Sequence, residues 1–79
     1  IIMAHFAKIE DNIVTQVIVI NDEDCGGGIF PESDVIGNEY INSIGLVGEW
    51  KQTSYNNNFR GIFAGIGMFY DVENDIFYI

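Results

Sequence analysis

Apolar and polar residues alternate from His5 to Glu10, with His5, Ala7 and Ile9 on one face and Phe6, Lys8 and Glu10 on the other. A period of two predicts a half-buried strand. Glu10-Asp11-Asn12 is a polar turn cluster. Ile13 to Ile20 follows as Ile-Val-Thr-Gln-Val-Ile-Val-Ile, the densest β-branched run in the chain. Two such runs across a short Asp-Asn turn predict a β-hairpin. The second run becomes apolar on both faces toward its end, as a central strand does.

Asn21 to Phe30 is predicted as a loop, with Asp22-Glu23-Asp24 ahead of Cys25-Gly26-Gly27-Gly28. Pro31, Glu32, Ser33 and Asp34 supply helix-start signals. Ile36, Tyr40, Ile41 and Ile44 form the apolar face of the helix that follows. Gly45 is placed to end it as the C′ residue, and Gly37 weakens it by up to about 1 kcal/mol relative to Ala. Alternation resumes from Glu49 to Tyr55, and Asn56-Asn57-Asn58 is a turn. Phe59 to Tyr70 reads as a long strand bent at Gly61, Gly65 and Gly67. Asp71 to Asp75 is a turn, and Ile76 to Ile79 is a last strand. The expected fold is mainly β: five short strands in the order β-β-α-β-β-β. They form a strongly bent antiparallel sheet or a small barrel, Sm-like or SH3-like in size, with one helix.

Composition narrows this picture. The 79 residues allow one domain, taken as 1–79, with no repeat or linker. A chain this short buries only about 60% of the surface its unfolded form exposes, so association is expected to help it. Cys25 is the single cysteine, which excludes an internal disulfide. The 12 acids against 3 cations give a net charge of −9, which argues against a binder that neutralises phosphates. The acids fall in the turns and at the helix start, so the charge is expected to be a solvated rim around apolar strands. No run reaches the roughly 20 apolar residues of a membrane span, and the start lacks the basic and apolar regions of a signal peptide. Met3 resembles an initiator, with Ile1-Ile2 as an upstream extension.

Candidate chemistry is sparse. Gly26-Gly27-Gly28 stands before a helix, but acids flank it and no phosphate-loop motif is present, so it reads as a hinge. Asp71, Glu73 and Asp75 alternate like the opening of a calcium loop, yet Ile76 holds the position that needs glycine. They read as a polar hairpin turn. Arg60 to Ile66 resembles an RNA-recognition strand but has Ile62 where a stacking aromatic belongs. His5 and Cys25 lack an orienting third residue for nucleophilic catalysis, and no carboxylate pair stands out as acid and base. No enzyme activity, cofactor or metal is therefore expected.

Met3 to Lys8, Asn12 to Val19, Gly26 to Gly28, Phe30 to Ser33 and Ile36-Gly37 are similar to a family of short proteins encoded by marine tailed bacteriophages. The likeness is closest at Trp50-Lys51-Gln52-Thr53-Ser54-Tyr55-Asn56, Asn58-Phe59-Arg60, Ala64-Gly65-Ile66-Gly67 and Tyr70-Asp71. The resemblance implies a virion component without catalytic residues, located in the virion or the host cytoplasm. Family members continue past the position of Ile79 into a Pro- and Trp-containing segment, so the chain is expected to be the N-terminal part of a longer protein. The leading expectation is a structural or accessory domain acting through homo-oligomeric contacts or contacts with other virion proteins. Trp50, Tyr55, Phe59, Phe63 and Tyr70 would supply core and interface anchors. The alternative is an Sm-like small-barrel nucleic-acid binder using Lys8, Lys51 and Arg60, which would require those three to converge beside exposed aromatics.

Overall fold

The computed structural model describes residues 3–79, and the Ile1-Ile2 extension lies outside them. The described residues are mainly strand with one α-helix. Strands β1 (Met3–Glu10), β2 (Ile13–Asn21), β3 (Glu49–Thr53), β4 (Phe69–Asp71) and β5 (Ile76–Tyr78) form one antiparallel sheet in the order β3-β1-β2-β4-β5. The sheet curls into a half-barrel. Helix α1 (Glu32–Ser43) lies between β2 and β3 in sequence.

The β1–β2 hairpin forms where the alternation places it. Asp11 and Asn12 both adopt left-handed φ, 52° and 63°, as a two-residue hairpin turn that matches the sheet twist requires. The register shifts between Lys8 and Ile9, leaving Thr15 as the extra residue of a bulge. Helix α1 ends as expected at Gly45, whose φ is 86°. The Gly45 N–H donates to Asn42 O at 3.1 Å and the Leu46 N–H to Ile41 O at 3.2 Å, the paired bonds of a Schellman cap.

Three expectations need correction. The run Phe59 to Tyr70 is not a bent strand; only Phe69 and Tyr70 belong to β4. Arg60, Gly61 and Gly67 take left-handed φ of 55°, 75° and 92°, which breaks any extended pairing. The helix also buries only part of the expected apolar row, Ile41 with Tyr40 packed beside it, and adds the small residues Ser33 and Gly37. Ser33, Gly37 and Ile41 face the sheet, while Ile36 and Ile44 remain exposed. The helix approaches β1 so closely that a Cβ at Gly37 would overlap the Phe6 ring, with Cε1 at 2.8 Å, and would meet Cys25 Sγ at 3.1 Å. Gly37 thus serves close approach rather than merely weakening the helix. Finally, β2 is the half-exposed strand, and β1 is the one buried on both sides.

That last point organises the interior. Ala4, Phe6, Ile20, Cys25, Ile41 and Trp50 form a cluster on the helix side of the sheet. Ala7, Ile9, Val14, Ala64, Tyr70 and Phe77 form a second cluster on the opposite side, under the 59–68 loop and the β4–β5 hairpin. Successive residues of a strand point to opposite faces, so β1 supplies both.

Candidate functional site

Beyond β3 the chain turns back on itself through Ser54 to Asn58. The Asn58 N–H donates to Ser54 Oγ at 2.9 Å, and Asn57 adopts a left-handed φ of 58°. The Asn57 side-chain oxygen then accepts from the Phe63 N–H at 2.7 Å, and Thr53 Oγ1 accepts from the Ala64 N–H at 2.8 Å. These bonds bring Phe63 back over Tyr55, and both meet His5 of β1. The His5 and Tyr55 rings stack at 5.7 Å, while Phe63 presents an edge to each at 5.3 Å. Edge and offset arrangements are the favoured ones for aromatic quadrupoles.

A second aromatic pair stands across from this trio. Phe30 and Phe59 stack with centroids 4.1 Å apart and planes 7° from parallel. His5 and Tyr55 of the trio and the Phe30–Phe59 pair line an open cleft of about 460 Å³. Its polar lining includes Ser33, Gln52, Asn56 and Asn58, and Asp22 is its one charged residue among the described residues. The buried Ser33 hydroxyl donates to Gln52 Oε1 at 2.6 Å, which holds the amide in place.

Arg60 clasps the wall of the cleft. Its Nη1 donates to Asp34 Oδ1 at 2.7 Å and to Gln52 O at 3.2 Å, and its Nε donates to Asp75 Oδ1 at 2.9 Å. Its guanidinium also stands over the Phe30 ring at 4.9 Å. Burial opposes the charge, but the hydrogen bonds and charges of Asp34 and Asp75 outweigh it and hold the guanidinium more firmly protonated than usual. Asp34 Oδ1 also accepts from the Gln52 N–H at 2.7 Å. The Tyr70 hydroxyl donates to Asp75, and burial together with that carboxylate pushes its pKa well up.

The sequence-derived anchors separate into two groups. Tyr55 and Phe59 line the cleft, with Tyr55 exposed, and Phe63 packs against Tyr55 and His5. Trp50 and Tyr70 are buried in the helix-side and opposite clusters. The Trp50 indole N–H has no hydrogen-bond partner among the described residues. His5, Phe30 and Gln52 complete the cleft, and no local pattern marked them for it. Phe30 stands beside Pro31, but that pair is equally at home in any loop.

The cations do not converge. Lys8 reaches Glu10 at 4.0 Å and Lys51 reaches Glu49 at 3.7 Å. Lys51 also stands over Tyr70 at 5.8 Å, on the side of the sheet away from α1. Lys8 follows Phe6 by two and therefore leaves β1 on the helix side.

Three minor motifs find structural uses. The Gly26 and Gly27 N–H groups donate to Glu23 O and Asp22 O, at 3.1 and 3.0 Å, closing the 3₁₀ turn Asp22–Cys25. They are not free to cradle an anion. Asp71 Oδ1 accepts from the N–H groups of Glu73 and Asn74, at 3.0 and 3.3 Å, as a hairpin turn does. Cys25 is fully buried rather than a loop thiol, and burial together with Asp22, Asp24 and Asp34 pushes its pKa to about 11. His5 shares the cleft with Asp22, but no hydrogen bond joins them, and burial lowers its pKa. Cys25 packs with Phe6 on the opposite side of the sheet from His5.

Comparisons of the chain with protein-family models, with curated proteins and with solved structures find no match.

Proposed function

We propose that this chain is a non-enzymatic virion structural or accessory domain of a tailed bacteriophage, and that it docks a partner protein through the aromatic cleft. The virion assignment follows from the sequence resemblance. The docking assignment rests on one observation: four aromatic rings, His5, Tyr55, Phe30 and Phe59, line an open cleft in which the described residues place no free cation, with Phe63 packed against His5 and Tyr55. Aromatic anchors in a rigid concave site are what a protein-docking surface needs. The chemistry selects an uncharged segment bearing a flat or apolar side chain, with amide or hydroxyl groups to meet Gln52 and Asn58. An anionic ligand is disfavoured, because Asp22 faces the cleft and Arg60 is committed to Asp34 and Asp75. The same pairing, with Lys8 and Lys51 on opposite faces, takes support from the nucleic-acid alternative.

The test is a photo-crosslinking amino acid at position 55, introduced into the protein during assembly of its parent phage. Purified particles should contain the chain, crosslinked through position 55 to a second virion protein. Absence from the particles would remove the virion assignment. Presence without a crosslink at 55, alongside crosslinks from an exposed position outside the cleft lining such as Val35, would remove the cleft.

A further inference from the structure

The buried polar side chains of the described residues are Ser33, Gln52, Thr53 and Ser54, and all four line the aromatic cleft. Their oxygens are already engaged within the chain. Ser33 Oγ donates to Gln52 Oε1, Thr53 Oγ1 accepts from the Ala64 N–H, and Ser54 Oγ accepts from the Asn58 N–H. Gln52 is only 7% exposed, and its backbone N–H and C=O are held by Asp34 and Arg60.

One group stands apart. The Gln52 Nε2 serves no hydrogen bond among the described residues. It is not sealed in, because Trp50 Nε1 is the one described side-chain nitrogen or oxygen both sealed from solvent and without a partner. The cleft is the opening that Gln52 lines, so the Nε2 N–H groups are presented there. Ser33 fixes the amide from behind by holding Oε1 at 2.6 Å. The floor of the cleft therefore offers an oriented donor beside acceptors that are in use.

The walls are flat. Phe59 stacks on Phe30 at 4.1 Å while the Arg60 guanidinium stands over Phe30 at 4.9 Å. One ring face cannot hold both, so Phe30 is covered on its two faces and Phe59 presents the outer face of the pair. Tyr55, exposed and stacked on His5, supplies the other wall.

We infer that the cleft takes a proline-rich segment of the partner in the polyproline II conformation, an inference that rests on reading the cleft as a protein-docking site. An ordinary extended segment brings an N–H with every C=O, and covering an N–H without an acceptor is costly. A prolyl residue brings the C=O alone. It meets the Gln52 donor and asks nothing of the engaged oxygens. Polyproline II has no internal hydrogen bonds, so its carbonyls are free to accept, and its fixed φ lowers the entropy lost on docking. Aromatic-lined grooves suit its rings. Proline is uncharged, as a lining with Asp22 and no free cation among the described residues requires. A neutral sugar fits less well, because each of its hydroxyls also donates and needs an acceptor.

The probes are a blocked hexaproline peptide, a blocked Gly-Ser hexapeptide and maltohexaose, each titrated into the ¹⁵N-labelled chain. Hexaproline should shift the Gln52 side-chain amide signals and the backbone signals of Tyr55 and Phe59, and the other two should not. Gln52→Glu keeps the acceptor for Ser33 but replaces the donor with a carboxylate oxygen. It should weaken hexaproline binding about tenfold or more, as the loss of a buried donor predicts. Tyr55→Ala removes an exposed wall, should also weaken binding, and serves if Gln52→Glu does not fold. Absence of a hexaproline response would overturn the inference, as would equal binding of the Gly-Ser peptide or full binding by the folded variants. A response to maltohexaose alone would make this a sugar site and overturn it too. The underlying docking reading is separated by the crosslink at position 55. A crosslinked virion segment without proline would overturn the inference and leave docking standing, whereas no crosslink at 55 would remove docking itself.

Discussion

Replacing Arg60 with Met removes the clasp while keeping an apolar stem of similar length. The side chains of Arg60 and Asp34 are only 9% and 16% exposed, so their pairing is shielded from solvent. Asp75, with a side chain 48% exposed, is largely screened and contributes little on its own. Breaking a buried pair leaves a carboxylate without its counter-charge, at a cost of about 3–5 kcal/mol. Loss of the contact with Phe30 adds about 0.5–1 kcal/mol. A domain of this size has roughly 4–12 kcal/mol of total stability, at about 0.05–0.15 kcal/mol per residue. The single substitution should therefore remove a large share of it. Urea unfolding followed by the fluorescence of Trp50, the one tryptophan, measures the change directly. Arg60→Met combined with Asp34→Asn should recover much of the loss, because no buried charge is then left alone. A cost below about 1 kcal/mol for Arg60→Met would put the pair in the class of exposed ion pairs and refute the clasp.

Gly37→Ala tests the close approach of α1. Helix propensity alone favours Ala by about 1 kcal/mol, whereas overlap with Phe6 predicts a net loss of about 1–3 kcal/mol, relieved by adding Phe6→Leu; a rise in the urea midpoint would show that the helix has room. His5 gives the pH dependence. Burial lowers its pKa from 6.5, so as pH falls below that value the unfolded chain takes up a proton before the folded one and stability declines. The urea midpoint should therefore drop between pH 7.5 and 5.5, and His5→Phe, which keeps a ring in the cleft, should flatten that drop. An identical profile in the variant would place the titration elsewhere.

The elements legible in the sequence are those whose causes are local. Asp11-Asn12 supplies the left-handed turn and Gly45 the helix cap, and both act within a few residues of where they stand. The Phe59 to Tyr70 run misleads because its aromatic and β-branched content satisfies strand propensity. What decides its path is the bonding of Arg60 to Asp34 and Asp75, 26 and 15 residues away. The helix face misleads for a similar reason. Apolarity marks Ile36 and Ile44, but the fit against Phe6 selects Gly37. At the cleft, Tyr55 and Phe59 stand out by residue type, as does Phe63 packed against Tyr55. The contributions of His5 and Phe30 depend on tertiary return of the chain, which periodicity does not encode.

The double-sided burial of β1 has a consequence for how the molecule comes apart. Phe6 belongs to one cluster and Ala7, its neighbour in the chain, to the other. Neither half can detach its wall without dismantling the wall of its counterpart. Melting should accordingly be a single event, with calorimetric and van't Hoff enthalpies in agreement, and a lesion planted on one side of the partition should be felt at full strength on the far side.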